Sequence, residues 1–327
     1  MVLASNIGLG LDYIVMALAP TLPWLFFGRI ISGITSSSIP TGFAYISDVT
    51  PPEKRAASFG MLSASFGLGF ILGPAVGGYL GGISPRLPFW VAAGLSLANA
   101  CYGFFVLPES LRPELRQRFQ WKKANPVGSL ILLKRHKELF GLAAVLLLSY
   151  TAQQVFGSVY VLYADYRYHW SDSTVGMSLA CVGLFSVIMG GGVVRPFVKR
   201  FGERVAMLFG LTFGIVGFFL FGYSSGGLLF WFGIPIMNFW TLAGPAAQGM
   251  MTHHVSASEQ GQLQGAVSSM RGIAGLIGPA LYTAVFAFGI RPAIHLPGVP
   301  FFVASTLLFI ALLLAEPVTR GRIRKAA

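Results

Sequence analysis

Residues 60–74 read GMLSASFGLGFILGP, and residues 265–279 read GAVSSMRGIAGLIGP. The two agree at Gly60 and Gly265, Ser63 and Ser268, Gly67 and Gly272, Gly73 and Gly278, and Pro74 and Pro279, all at one offset of 205. Gly28 and Pro40 recur at the same offset as Gly233 and Pro245. A run of matches at one fixed spacing marks an internal repeat. Both copies lie in apolar segments that run the same way across the chain's predicted topology, so the repeat is parallel. Two parallel halves related by an axis along the membrane normal predict a membrane protein built from two helical bundles.

Composition leads to the same fold class. Of 327 residues, 54% are hydrophobic and 10% charged, against about 25% charged in a soluble domain. Mean hydropathy is +0.69. A soluble chain of this length has too small a core to hide so much apolar surface. Disordered, collagen-like and disulfide-framework classes are excluded by the same numbers. The predicted class is all-α and polytopic. Cys101 and Cys181 both sit in apolar runs and are expected as small buried hydrophobes.

A helix crosses a bilayer with about 20 apolar residues. Ten such stretches are read at 2–20, 24–47, 57–81, 88–107, 139–162, 173–194, 205–224, 227–250, 262–289 and 298–316. Turn residues separate several, as at Pro20 to Pro23 and Ser224 to Gly227. The net charge is +12, which in a soluble chain points to nucleic acid. Here Lys and Arg instead report topology. With residue 1 inside, the loops 48–56, 108–138 and 195–204 and the tail 317–327 carry 18 of the 23 basic residues. The outer loops carry Arg86, Arg167 and Arg291. This bias predicts both termini in the cytoplasm and no nucleic-acid partner. The first apolar run has no basic leader or small-residue cleavage site, so no secretory signal is read there.

The domain plan follows. Residues 1–107 form an N-terminal bundle of four helices, 108–138 a basic cytoplasmic linker, 139–316 a C-terminal bundle of six, and 317–327 a basic tail. The counterpart of residue 139 falls near −66 at the offset of 205, so two further spans of about 20 residues each are expected ahead of Met1.

Four stretches carry a family resemblance: LDYIVMALAPTLPWLFFGRIISGIT at 11–35, AYISDVTPPEKRAASFGMLSASFGLGFILGPAVGGYLGG at 44–82, NPVGSL at 125–130, and YRYHWSDSTVGMSLACVG at 166–183 with FGERVAML at 201–208. EQGQLQGAVSSM at 259–270 adds to them. The chain resembles the drug/proton antiporter branch of the major facilitator superfamily, and within it the tetracycline-efflux-like group. The resemblance runs from about residue 2 to 316. It implies a bacterial inner-membrane transporter that exports a small amphipathic or drug-like molecule by alternating access, with protons as coupling ion and no cofactor.

The resemblance also implies roles for particular residues. Gly69, Gly73, Pro74, Gly77 and Gly78 are similar to the branch's antiporter motif. Glycines let helices approach closely, and a proline bends the helix, so this stretch is a candidate gate. Ordinary helix packing accounts for the same residues. Arg29 and Gly33 match the motif of the family's fourth helix. The residues of the charged loop with Asp48 and Arg55, and Arg200, Glu203 and Arg204 in the other half, resemble inner loops that latch the two bundles.

Charges at membrane depth are costly and draw attention by themselves. Asp12 is the one acid deep within a span; it lies eight residues before Pro20 and Arg29 six after Pro23, which are similar depths at about 1.5 Å per residue. The two are placed either to pair across a helical hairpin or to make separate polar contacts. Arg271 interrupts an apolar span where its repeat counterpart is Phe66. It is a candidate for an anionic substrate or for a counter-charge, and otherwise a snorkelling side chain. Gln153, Gln154 and Tyr160 are candidates for a substrate cavity, because amides and phenols suit a ligand of mixed polarity. His169, His253 and His254 have no acid or Cys cluster beside them in sequence, so no metal site is expected.

The pattern departs from the tetracycline group in one respect. That group carries a His in its eighth helix and an Asp in its ninth, both tied to proton coupling. Aligned through SLACVGLFS and AMLFGLTFG, these positions are Ser186 and Phe213, neither of which titrates near neutral pH. A metabolite or anion carrier of the same fold, and a transport-inactive truncated membrane protein, are therefore the alternatives. An enzyme is not expected. The chain has no H-E-x-x-H motif and no clustered carboxylates or Ser–His pair at membrane depth.

Overall fold

A computed structural model describes residues 2–35, 72–107, 137–255 and 260–320, with isolated positions between 42 and 69. The described residues are helical, with short turns and no strand. We number the helices α1 (Val2–Leu18), α2 (Leu22–Thr35), α3 (72–83), α4 (Leu87–Val106), α5 (Lys137–Tyr168), α6 (Asp172–Ile188), α7 (Val194–Tyr223), α8 (Gly227–Asn238), α9 (Ala243–Thr252), α10 (Gln260–Gly289) and α11 (Val299–Arg320). Among the described residues, six stretches are long and apolar enough to cross a membrane. Asp172–Tyr223, with 52 residues, has the length of two crossings.

Local sequence explains the breaks. Pro20 and Pro23 bracket the turn between α1 and α2, where Trp24 N–H donates to Thr21 O. Gly202 adopts φ 82° within α7 and turns the chain between two spans, a conformation that costs glycine little. Between α6 and α7 the helix widens into a single π-turn over Met189–Val193, with the sequence MGGGV. Pro235 in α8 has no N–H to offer the preceding turn, and the helix tightens to 3₁₀ geometry over Phe239–Leu242 before α9.

The chain divides into two compact units. The first holds Met1–Phe119 with Ser171–Ala180, the second Gln120–Trp170 with Cys181–Ala327. Within the first, α1 packs along α4 and α2. Within the second, α5 packs along α10 and α11, and α7 along α8, α9 and α11.

Lipid tails are as apolar as leucine, so packing and interhelical hydrogen bonds hold such bundles together. In the second unit an aromatic cluster does this. Phe221 stacks on Phe230 with centroids 4.2 Å apart, and Tyr163 meets Phe301 edge-on at 4.8 Å. Tyr163 OH donates to Phe221 O at 2.7 Å, and Tyr168 OH to Ser224 O at 3.0 Å. These bonds tie the end of α5 to backbone carbonyls at the end of α7. Cys101 is exposed on its unit and Cys181 half-buried, contrary to the expectation of two buried thiols. In a lipid-facing chain an apolar side chain loses nothing at the surface, so burial does not follow from apolarity.

Candidate functional site

In the first unit α1 and α2 bring Asp12 and Arg29 together. Asp12 Oδ2 accepts from Arg29 Nη2, with the carboxylate wholly buried and the Arg side chain half exposed. The same Nη2 lies 2.6 Å from Met16 Sδ. The other carboxylate oxygen, Oδ1, is buried with no hydrogen-bond partner. It lies against Gly28, where a Cβ would come within 2.7 Å of it. This is a buried acid with one oxygen held by a cation and the other without a hydrogen-bond partner among the described residues.

The motif helix α3 lies in the same unit. Its Gly78 meets the start of α6, where a Cβ would stand 2.6 Å from Asp172 O and 2.8 Å from Gly176 Cα. A Cβ on Gly176 would in turn stand 2.5 Å from Pro74 O. The backbones touch there, and neither position has room for a side chain. Around Gly69, Gly73 and Gly77, no described atom lies within 4 Å of a built Cβ. Close approach therefore accounts for one of the four motif glycines.

In the second unit Arg271 on α10 lies over Tyr150 on α5, its guanidinium carbon 4.9 Å from the ring centroid. Arg271 Nη2 donates to Tyr150 OH at 3.4 Å, and Gln248 Nε2 on α9 donates to the same oxygen at 3.1 Å. One turn along α5, Gln154 packs onto Gly275 and Gly278 of α10. Gln153 is exposed.

Tyr160 stands elsewhere, wholly buried between Phe156 and Phe230 in the aromatic core of the second unit.

Near the cytoplasmic end as read from the sequence, Glu203 Oε1 lies 3.3 Å from His253 Nε2. It also sits against Gly249, where a Cβ would come within 2.5 Å of it. Glu203 thus ties the start of the α7 span to the end of α9. Arg200 lies over the ring of its neighbour Phe201 at 5.6 Å. Arg204 follows Glu203 in α7. Asp48 and Arg55 lie outside the described residues.

Sequence reasoning missed three pairings: Gly78 with Gly176, Glu203 with His253, and Ser186 with Asn238. In the last, Ser186 Oγ donates to Asn238 Oδ1 at 2.7 Å, and Asn238 Nδ2 donates to Ile234 O at 2.9 Å. The one available signal was Asn238 itself, an amide in a run of apolar residues. Among the described residues no group of three or more His, Cys, Asp or Glu is placed to hold a metal ion.

Comparison with known proteins bears on what these sites serve. A family model described as Major Facilitator Superfamily matches residues 1–279 and 142–327. The class C tetracycline resistance protein of Escherichia coli is 35% identical over 288 residues, covering 87% of this chain and 72% of that protein. The class G tetracycline resistance protein of Vibrio anguillarum is 35% identical over 291 residues, with the same two coverages. Among solved structures, the nucleoside transporter NupG superposes with a TM-score of 0.75 at 15% identity, covering 97% of this chain and 81% of that one.

Proposed function

The chain belongs to the major facilitator superfamily, and on that premise we propose that it exports a small amphipathic, drug-like molecule in exchange for protons. It is a multi-pass membrane transporter and not an enzyme. The single observation that carries proton exchange is the Asp12–Arg29 pair. A wholly buried carboxylate at membrane depth, with one oxygen on Arg29 and the other unpartnered, supports that reading. Drug export draws its support from the tetracycline resistance relatives at 35% identity.

The mechanism we assign is alternating access between the bundle of residues 1–107 and the bundle of residues 139–316, joined by the linker 108–138. A proton on Asp12 releases Arg29 and shifts the balance between access states, and substrate binding shifts it back. The α3–α6 approach at Gly78 and Gly176 serves as the outer gate. Asp48 and Arg55, with Arg200, Glu203 and Arg204, serve as the inner latch. The location is the bacterial inner membrane, with both termini and the tail 317–327 in the cytoplasm.

Inverted membrane vesicles test this reading. Tetracycline or another amphipathic drug should accumulate when the vesicle interior is acidified. Accumulation should collapse with a proton ionophore and in Asp12→Asn. Accumulation that ignores the ionophore would overturn proton exchange, and absence of any drug accumulation would overturn export. Ser186 and Phe213 favour a second reading, a carrier of a metabolite anion that runs without protons. Ionophore-insensitive uptake is its signature.

A further inference from the structure

Arg271 poses a problem that the transport reading leaves open. It lies eleven residues past Gln260 and eighteen before Gly289 on α10, roughly 16 Å and 27 Å along the axis. That is membrane depth, where a cation is retained only against a partner charge or water. No described carboxylate pairs with it. The second-unit spans carry no Asp or Glu between residues 173 and 315 other than Glu203 and Glu259, both near the cytoplasmic ends as read from the sequence. Its repeat counterpart is Phe66, so the fold does not require it.

The groups around it are neutral and leave donors over. Tyr150 OH accepts from both Arg271 Nη2 and Gln248 Nε2, so its own proton remains to be given. No acceptor for that proton is found among the described residues. The guanidinium has five N–H groups, of which one meets an acceptor among the described residues. Tyr150 is itself only 9% exposed, whereas Arg271 is exposed on its unit. The result is a guanidinium fixed by an aromatic face and a phenol, presenting unused N–H and O–H donors on one side. A carboxylate is the group that such a fork accepts in two parallel hydrogen bonds.

We propose that Arg271, seated on Tyr150 and backed by Gln248, recognises an anionic head group, so that the transported amphipath carries a carboxylate or a similarly ionised acid. The proposal rests on the transport reading and names the substrate class for it. The anion supplies the counter-charge that no described carboxylate gives Arg271, and the apolar body of the substrate lies against the surrounding helices.

The test uses three probes that share one apolar body: 1-pyrenebutyric acid, 1-pyrenebutanol and 1-pyrenebutylamine. Binding to the purified full chain in neutral detergent is read by fluorescence anisotropy near pH 7.5. The acid is expected to bind about tenfold tighter than the alcohol, the amine no better than the alcohol. Arg271→Gln should bring the acid to the level of the alcohol, Arg271→Lys should keep part of the preference, and Tyr150→Phe should weaken the acid alone by a few-fold. No acid preference in the wild type overturns the proposal. So does a preference that survives Arg271→Gln, which would assign it to the net charge of +12. Equal loss of acid and alcohol in a variant that still elutes as the native species also overturns it, by making Arg271 structural. If Arg271→Gln fails to fold, the wild-type comparison and Tyr150→Phe decide. Lost drug export with an intact acid preference removes the export reading and leaves this one standing, and the converse result does the opposite.

Discussion

Gly78 and Gly176 meet with no side chain between them: a Cβ on Gly78 would stand 2.8 Å from Gly176 Cα, and one on Gly176 would stand 2.9 Å from Gly78 Cα. Both neighbours are backbone and have little freedom to move aside. Alanine at either position should therefore force the helices apart at a cost of about 1–3 kcal/mol. Gly77→Ala is the matched control, since no described atom lies within 4 Å of its built Cβ. Melting of the purified protein in detergent should fall clearly for Gly78→Ala and Gly176→Ala and stay near wild type for Gly77→Ala. Equal shifts for all three would show that helix propensity, not close approach, sets the response.

Asp12 and Arg29 differ in burial, which separates their mutational effects. Arg29→Gln leaves a wholly buried carboxylate without its cation, which costs about 3–5 kcal/mol for a fully buried pair and less here, because Arg29 is half exposed. Asp12→Asn removes the buried charge and should cost less. The double variant Asp12→Asn, Arg29→Gln should regain stability over Arg29→Gln alone while transport stays lost. Stability is read by detergent melting and transport by drug accumulation in inverted vesicles. A double variant no more stable than Arg29→Gln would count against pairing, and one that still exchanges protons would remove Asp12 from coupling.

Tyr163 offers a test of what holds the second unit together. Its hydroxyl donates to Phe221 O at 2.7 Å, while its ring meets Phe301 at 4.8 Å. Tyr163→Phe keeps the ring and removes the donor, leaving a buried carbonyl at the end of α7. The expected cost is about 1 kcal/mol, in line with interhelical hydrogen bonds in membranes. Tyr163→Ala removes the ring as well and should cost about 3–5 kcal/mol. If the two variants melt alike, the hydroxyl and not the packing carries the contact.

The sequence carries depth well and azimuth poorly. Hydropathy marks the spans seen among the described residues, and the turn at Pro20 to Pro23 puts Asp12 and Arg29 at similar depth, where they meet. Which neighbour a residue faces depends on its angle around the helix. A span that is apolar on all sides gives no periodic signal for that angle. Tyr160 and Tyr150 lie ten residues apart on α5, yet one is sealed in the aromatic core and the other carries Arg271. Gly176 and Gly78 come from distant segments with no shared pattern. Glu203 and His253 are fifty residues apart, and only the fold brings that acid beside that imidazole.

Ser186, the position that the sequence alignment sets against the tetracycline group's histidine, forms a closed polar contact with Asn238. Asn238 is 2% exposed, takes one bond from Ser186 Oγ at 2.7 Å and gives one to Ile234 O at 2.9 Å. The contact joins α6 to α8 just before the π-turn at Met189–Val193, so it fixes the last regular turn before the helix widens. Ser186→Ala leaves Asn238 Oδ1 buried without a donor and should cost about 1–2 kcal/mol. Ser186→Ala with Asn238→Leu removes both partners, and replacing both by apolar groups is often close to neutral. The double variant should therefore be more stable than the sum of the singles by about 0.5–1.5 kcal/mol. Strict additivity in detergent melting would show that the two side chains act independently and that Asn238 is held by α8 alone. A coupling of the expected sign would establish that the two side chains hold each other as an uncharged tie between α6 and α8.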